Sequence, residues 1–242
     1  MKRRKGVGKY ALMAAKLLGV GLLALFVGTL LAVVLYKWVP VTDTHFMRVM
    51  SKKNNCGVTQ TWVPLEDISK ELPLAVVSSE DNLFTKHNGF SISAIKRAWA
   101  ESQKGKRVRG GSTISQQTAK NVFLWNEQSW VRKGIEVGLT FMIETIWGKR
   151  RIMEVYLNII EQGPGIYGAE ASAQTYFGHS AKTLRRDEAA RMAAVLPNPI
   201  RLKLDKPSAY VLKRQGQIMN VMRKIGKVDY DRRAKEKAKA KE

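Results

Sequence analysis

The sequence predicts a mainly α-helical domain held behind one N-terminal membrane-spanning helix, and three observations predict it. From Leu17 to Tyr36 the chain runs for twenty residues without a charge, LLGVGLLALFVGTLLAVVLY. Beyond residue 90, apolar residues recur at intervals of three and four almost throughout, which is the period of an α-helix rather than a strand. Thr113 and Gln116 have the T-x-x-Q form of a capping box, which places a helix start just after Gly110-Gly111.

Twenty residues at 1.5 Å rise match a hydrocarbon core of about 30 Å, so 17–36 reads as a transmembrane helix. A cleaved signal peptide would have a shorter apolar region ending in a small-x-small site, and Lys37-Trp38-Val39-Pro40 offers none. Lys2, Arg3, Arg4, Lys5, Lys9 and Lys16 precede the span with no acid among them. That bias keeps residues 1–16 cytoplasmic and sends the rest of the chain outward. Tyr36 and Trp38 fall where an interfacial aromatic belt sits.

Residues 37–61 read as a membrane-proximal linker, because Pro40 and the polar run Ser51–Asn55 offer little periodicity. A single domain follows over 62–228. Its expected helices carry Ile92, Ile95 and Trp99, then Val131, Ile135, Leu139, Met142 and Ile146, then Ile152, Val155, Tyr156, Ile159 and Ile160. The alanine-rich segment Asp187–Leu196 and the stretch Ser208–Ile225 complete the set. Gly148, Gly163-Pro164-Gly165 and the pair Pro197 and Pro199 separate them. The tail 229–242 is a basic lysine-alanine run, expected to lie solvated, frayed or against anionic headgroups.

A formal net charge of +22 calls for an anionic partner: nucleic acid, anionic lipid or a phosphate-bearing substrate. An exported domain never meets cytoplasmic nucleic acid, which leaves lipid-linked phosphate. Cys56 is the sole cysteine, so an internal disulfide and a cysteine-based zinc site are excluded. His45, His87 and His179 are too scattered for a metal cluster and read as structural. Gly163–Gly168 fits G-x-G-x-x-G but follows a helix rather than a strand, which a dinucleotide fingerprint does not. Ser93-Ala94-Ile95-Lys96 fits S-x-x-K, but no K-T-G element follows.

Chemistry concentrates elsewhere. Glu80 and Asp81 come directly after the apolar run Leu72–Val77, at the expected end of a core helix. Gly110-Gly111-Ser112-Thr113-Ile114-Ser115-Gln116-Gln117 joins a glycine turn to a helix N-terminus rich in hydroxyls and amides, a cradle for phosphate oxygens or sugar hydroxyls. Lys120 lies one to two turns further on. Arg132 and Glu136 are four residues apart and share a helix face beside Lys133.

Together these segments resemble the family 51 peptidoglycan glycosyltransferases. Glu80–Gly89 resembles E-D-x-x-F-x-x-H-x-G, and Gly110–Asn121 resembles G-G-S-T-[IL]-[ST]-Q-Q-x-x-K-N. Arg132–Glu136 resembles R-K-x-x-E, and Arg151–Asn158 resembles R-I-L-E-x-Y-L-N with Met153 in the leucine place. No penicillin-binding transpeptidase domain follows, so the likeness is to the monofunctional members, and it implies a lysozyme-like fold at a bacterial cytoplasmic membrane. It implies polymerisation of lipid II into β-1,4 glycan strands, with inversion and release of undecaprenyl diphosphate. Lipid II, the growing glycan chain and the bilayer would be the partners, with other cell-wall synthesis proteins as neighbours and no nucleic acid.

By that resemblance Glu80 is the general base, tuned or oriented by Asp81, and Glu136 is the second essential acid. Lys120, Arg132 and Lys133 grip the diphosphate, and Ser112, Gln116 and Asn121 contact sugar or phosphate. Phe84 is carried over with the substrate-binding set and, like His87, Glu154, Tyr156 and Asn158, holds the cleft together. No cofactor is required, with room left for a divalent ion, Mg or Mn, beside Glu136. Phe90, Ile95 and Trp99 in the lysine-rich stretch before Arg109 are candidates to dip among headgroups. A muramidase is the rival enzyme, but three cations are superfluous for a neutral glycosidic bond. A basic membrane scaffold is the non-enzymatic rival, and it leaves Glu80 and Glu136 unexplained.

Overall fold

The structure is a computed structural model that describes residues 4–92, 96, 100, 103, 111–127 and 129–239. The chain forms two compact units, Met1–Val39 and Pro40–Glu242. The first is helix α1, Arg4–Leu35, within which Lys9–Leu35 is long and apolar enough to cross a membrane. The helix thus starts at Arg4 instead of Leu17. Hydropathy marks only the part that suits hydrocarbon, whereas Lys, Arg, Ala, Met and Leu all propagate a helix well.

The second unit is mainly α. Its elements are α2 (His45–Asn54), β1 (Thr59–Gln60), α3 (Glu71–Glu80), α4 (Ile114–Phe123), α5 (Trp130–Ile146) and α6 (Gly148–Ile159), then β2 (Glu161–Gly163) and β3 (Ile166–Tyr167). There follow α7 (Ala169–Phe177), α8 (Arg186–Val195), α9 (Ala209–Ile225) and α10 (Arg232–Lys239).

Helix α3 forms the centre. Leu72, Leu74, Ala75, Val76 and Val77 are all buried, and a helix that is apolar all round belongs in a core. It packs against α8 and α9. Ala189, Ala190, Ala193 and Ala194 of α8 are fully buried, and their small side chains let the neighbouring backbones approach. A second layer packs α4 against α5 and α6.

The linker expected over 37–61 is partly ordered structure. Thr44 caps α2 by accepting from Met47 N at 3.2 Å, Asn55 ends it in the left-handed conformation at φ 48°, and α2 packs on α4. Periodicity was faint because Met47 is the residue of this helix that is buried. β1 then pairs in parallel with β3, Thr59 opposite Ile166 and Gln60 opposite Tyr167, while β2 and β3 form an antiparallel hairpin with an irregular register.

The G-x-G-x-x-G run is that hairpin. Gly165 sits at its turn with φ 71°, and a Cβ on Gly168 would stand 2.5 Å from the Asn158 carbonyl oxygen. Those glycines serve the turn and a close approach, not a dinucleotide. Within the C-terminal tail, Arg232–Lys239 forms α10. The segment 93–95, Trp99 and Gly110 lie outside the described residues.

Candidate active site

Glu80 is the last residue of α3 and Asp81 its C-cap. The core helix therefore delivers two acids to its own end, as expected. Glu80 is held at both oxygens: Ser79 Oγ donates to Oε1 at 3.1 Å, and Gln117 Nε2 donates to Oε2 at 3.1 Å. Tyr156 OH in turn donates to Gln117 Oε1 at 3.2 Å. The guanidinium of Arg214, from α9, stands 3.8 Å from Glu80 Oε1 and donates to Ser79 Oγ at 3.1 Å. The Glu80 side chain keeps 16% of its surface exposed, enough to meet a substrate.

Asp81 makes different contacts from those expected. Its oxygens lie 2.9 Å from His87 Nε2, and Oδ2 accepts from Ile114 N at 3.2 Å. None of its hydrogen bonds among the described residues goes to Glu80. A carboxylate on the first turn of a helix complements the dipole, so Asp81 anchors the start of α4 where tuning of Glu80 was expected.

The capping box is present in full: Thr113 Oγ1 accepts from Gln116 N, and Gln116 Oε1 accepts from Thr113 N. Gln116 is buried and its amide oxygen is occupied in the cap, which leaves its amide nitrogen as the group for the substrate role expected of it. Gln117, one residue later, is the glutamine that touches Glu80. Three residues on, Lys120 lies on the same face, one turn or about 4.5 Å further along α4.

Glu136 is buried, its side chain 4% exposed. Oε2 lies 3.3 Å from Arg132 Nη1, and Oε1 accepts from Lys133 Nζ. Ser129 caps α5 by accepting from Arg132 N, so Arg132 and Lys133 fall in the first turn, where the macrodipole disfavours cations. Their counter-charge is the single carboxylate of Glu136. Burial pulls the Lys120 ammonium below the usual lysine range, against the opposing pull of Glu136, and Arg132 and Lys133 lower it further. Its Nζ sits 5.3 Å from the centroid of the Phe46 ring, a wall that α2 supplies.

Around this frame, Asn121 is buried with Oδ1 unpartnered, and Ser112 is exposed at the mouth of the turn. Phe84 is fully buried, with the Lys149 ammonium 4.4 Å from its ring centroid. It has no surface for substrate and belongs to the packing. Asn158 holds residue Val63 by both amide ends. Among the described residues no three metal-ligating acids, histidines or cysteines converge.

Comparison with known proteins agrees with this geometry. A family model described as transglycosylase matches residues 47–223. The chain belongs to the transglycosylase family. Its relatives include biosynthetic peptidoglycan transglycosylases of Bacteroides thetaiotaomicron, 52% identical with 85% of each chain covered, and of Pasteurella multocida, 52% identical over 81% of this chain and 82% of the relative. That of Shewanella oneidensis is 47% identical over 93% of this chain and 96% of the relative. The transglycosylase match begins inside α2.

Two residues of this transglycosylase site, Gln117 and Arg214, were not expected from the sequence. The first sits inside the quoted motif, where the capping assignment to Gln116 leaves Gln117 as the free amide. The second lies on a different helix, and nothing in its neighbourhood marks it. The perturbed lysine gives a pH expectation. The alkaline fall in kcat/KM, which reports the free enzyme, should begin below the ordinary lysine range, because loss of the Lys120 proton would remove the diphosphate contact expected of it. Lys120→Arg should move that fall to higher pH, as measured by initial polymerisation rates between neutral and strongly alkaline buffer.

Proposed function

We propose that this transglycosylase polymerises lipid II into β-1,4 glycan strands at the outer face of a bacterial cytoplasmic membrane, releasing undecaprenyl diphosphate. The observation that carries the mechanism is the run of α4. Gln117 holds a carboxylate ready for an acceptor hydroxyl, and one turn away Lys120 joins Arg132 and Lys133 around Glu136.

The acceptor's 4-hydroxyl gives its proton to Glu80 as its oxygen bonds to the donor's anomeric carbon. The bond from that carbon to the diphosphate oxygen breaks, and its electrons leave with the diphosphate. Attack opposite the leaving group inverts the centre. No acid is required, because the leaving group departs as a stable anion that Lys120, Arg132 and Lys133 neutralise. Glu136 keeps those cations apart and oriented while the site is empty. A divalent ion, Mg or Mn, is not required by this donor set, since both Glu136 oxygens are occupied by cations. Mass spectrometry of lipid II reactions tests the chemistry: one undecaprenyl diphosphate should appear per bond formed, whereas a muramidase would release none.

The bilayer as a working surface is supported by α5. Burying Arg132 and Glu136 turns Val131 and Ile135 outward. Trp130 is 93% exposed and Phe141 65%, with Val131, Ile135 and Val137 also exposed. A large apolar patch on one helix marks a membrane or protein contact, and here it lies on the helix that carries the diphosphate cations. Phe141→Asp is expected to slow polymerisation of vesicle-embedded lipid II by roughly tenfold, in line with about 1.5–3 kcal/mol per buried apolar side chain. Rates in detergent should be unchanged.

A further inference from the structure

The family match ends at residue 223, yet the chain beyond it returns to the cleft. Arg233 of α10 places Nη1 3.8 Å from Glu144 Oε2, and donates to the His87 carbonyl oxygen at 3.5 Å. Tyr230, just before α10, lines a cleft beside Ile68 and Leu74 of the core, and burial pushes its phenol well up from the ordinary range.

What Arg233 meets is a buried charge cluster behind the catalytic acids. Glu144 Oε1 accepts from Lys149 Nζ and from Ser115 Oγ, both at 2.5 Å. Gly89 N donates to His87 Nδ1 at 3.1 Å. That bond makes Nδ1 the acceptor and leaves the proton on Nε2, so His87 donates to Asp81 as a neutral ring. Two carboxylates, Asp81 and Glu144, then face one ammonium, Lys149, and a neutral imidazole. Among the described residues the cluster is one negative charge in excess, Glu144 Oε2 has no hydrogen-bond partner, and the cation paired with that oxygen is Arg233. Unbalanced buried charge is costly, and these same groups hold Ser115 and the N-terminus of α4.

We propose that Arg233 is a positioning residue of the glycosyltransferase cleft: it closes the charge balance of the Asp81, Glu144, Lys149 and His87 cluster and so fixes the first turn of α4. The last stretch of the chain is then part of the catalytic unit. The proposal rests on the assignment of Ser112–Asn121 to the cleft.

The test uses the full-length chain in detergent with labelled lipid II. Arg233→Met should lower kcat by about ten- to a hundredfold, as displacement of a catalytic frame by an ångström does, with KM within about twofold because the diphosphate cations are untouched. Arg233→Lys should restore most of the rate. Adding Glu144→Gln to Arg233→Met removes the excess charge, and the double variant should outpace Arg233→Met alone. A wild-type kcat for Arg233→Met, a lysine variant as slow as the methionine one, or a double variant no faster than the single would each overturn the proposal. Should Arg233→Met fail to fold by circular dichroism, the lysine and double variants decide the question. Wild-type strands in the same gel keep the two claims apart, since an inactive wild type would remove the glycosyltransferase assignment itself.

Discussion

Glu80→Gln is expected to lower the rate of lipid II polymerisation by about 10²–10⁴-fold, the range for loss of a general base. The substitution is close to isosteric. Ser79 Oγ and Gln117 Nε2 donate to the two carboxylate oxygens, and an amide keeps an acceptor for one of them while losing the capacity to take a proton. The buried residues of α3 are untouched, so thermal unfolding should stay near that of the wild type. Initial rates from resolved glycan products, measured beside unfolding curves, separate lost chemistry from lost fold. A variant that melts normally and keeps more than a tenth of the rate would show that another group takes the proton.

Glu136→Ala is the second large effect, and it should strike fold and chemistry together. Arg132 is buried with Nε already unpartnered, and its ion pair with Glu136 has side chains only 10% and 4% exposed. Breaking such a pair by removing one partner costs about 3–5 kcal/mol. The Lys133 pair adds less, because that lysine is 40% exposed and screened by solvent. With its carboxylate gone, the cation cluster loses its geometry as well as its counter-charge. A loss of roughly 10²–10³-fold in kcat/KM is expected, the size seen when one preorganised electrostatic group is removed. Denaturant unfolding measures the first effect and initial rates measure the second.

Long helices and the ends of core segments were legible from residues alone. The uncharged run 17–36, the box at Thr113 and Gln116, and the buried stretch Leu72–Val77 each signal through local physics, so the anchor, α4 and α3 stand where expected. Less was legible where the signal is tertiary. α2 buries little of itself, and its contribution, Phe46 against Lys120, depends on a partner far along the chain. Periodicity in α5 reports amphipathicity without saying which face turns inward, and it is the burial of Arg132 and Glu136 that leaves Val131 and Ile135 outside.

Individual roles within the site followed the same division. Lys120, Arg132 and Lys133 gather around Glu136, and Gln117 ties Glu80 to the helix that carries Lys120. Gln116 gives its carbonyl to the cap, an assignment visible in the sequence once the capping box is taken at face value. The contact of Asp81 with His87 lies within one quoted motif, whereas those of Asp81 with Ile114 and of Arg214 with Ser79 and Glu80 cross between elements distant in sequence, and no local pattern announces them.

The most direct measurement of the central claim, that this cleft builds glycan by expelling a diphosphate, is incubation of the full-length chain with labelled lipid II in detergent, products resolved on a gel. Long strands from the wild type, with none from Glu80→Gln, are the predicted result. Lipid II left intact while preformed glycan is shortened would contradict it.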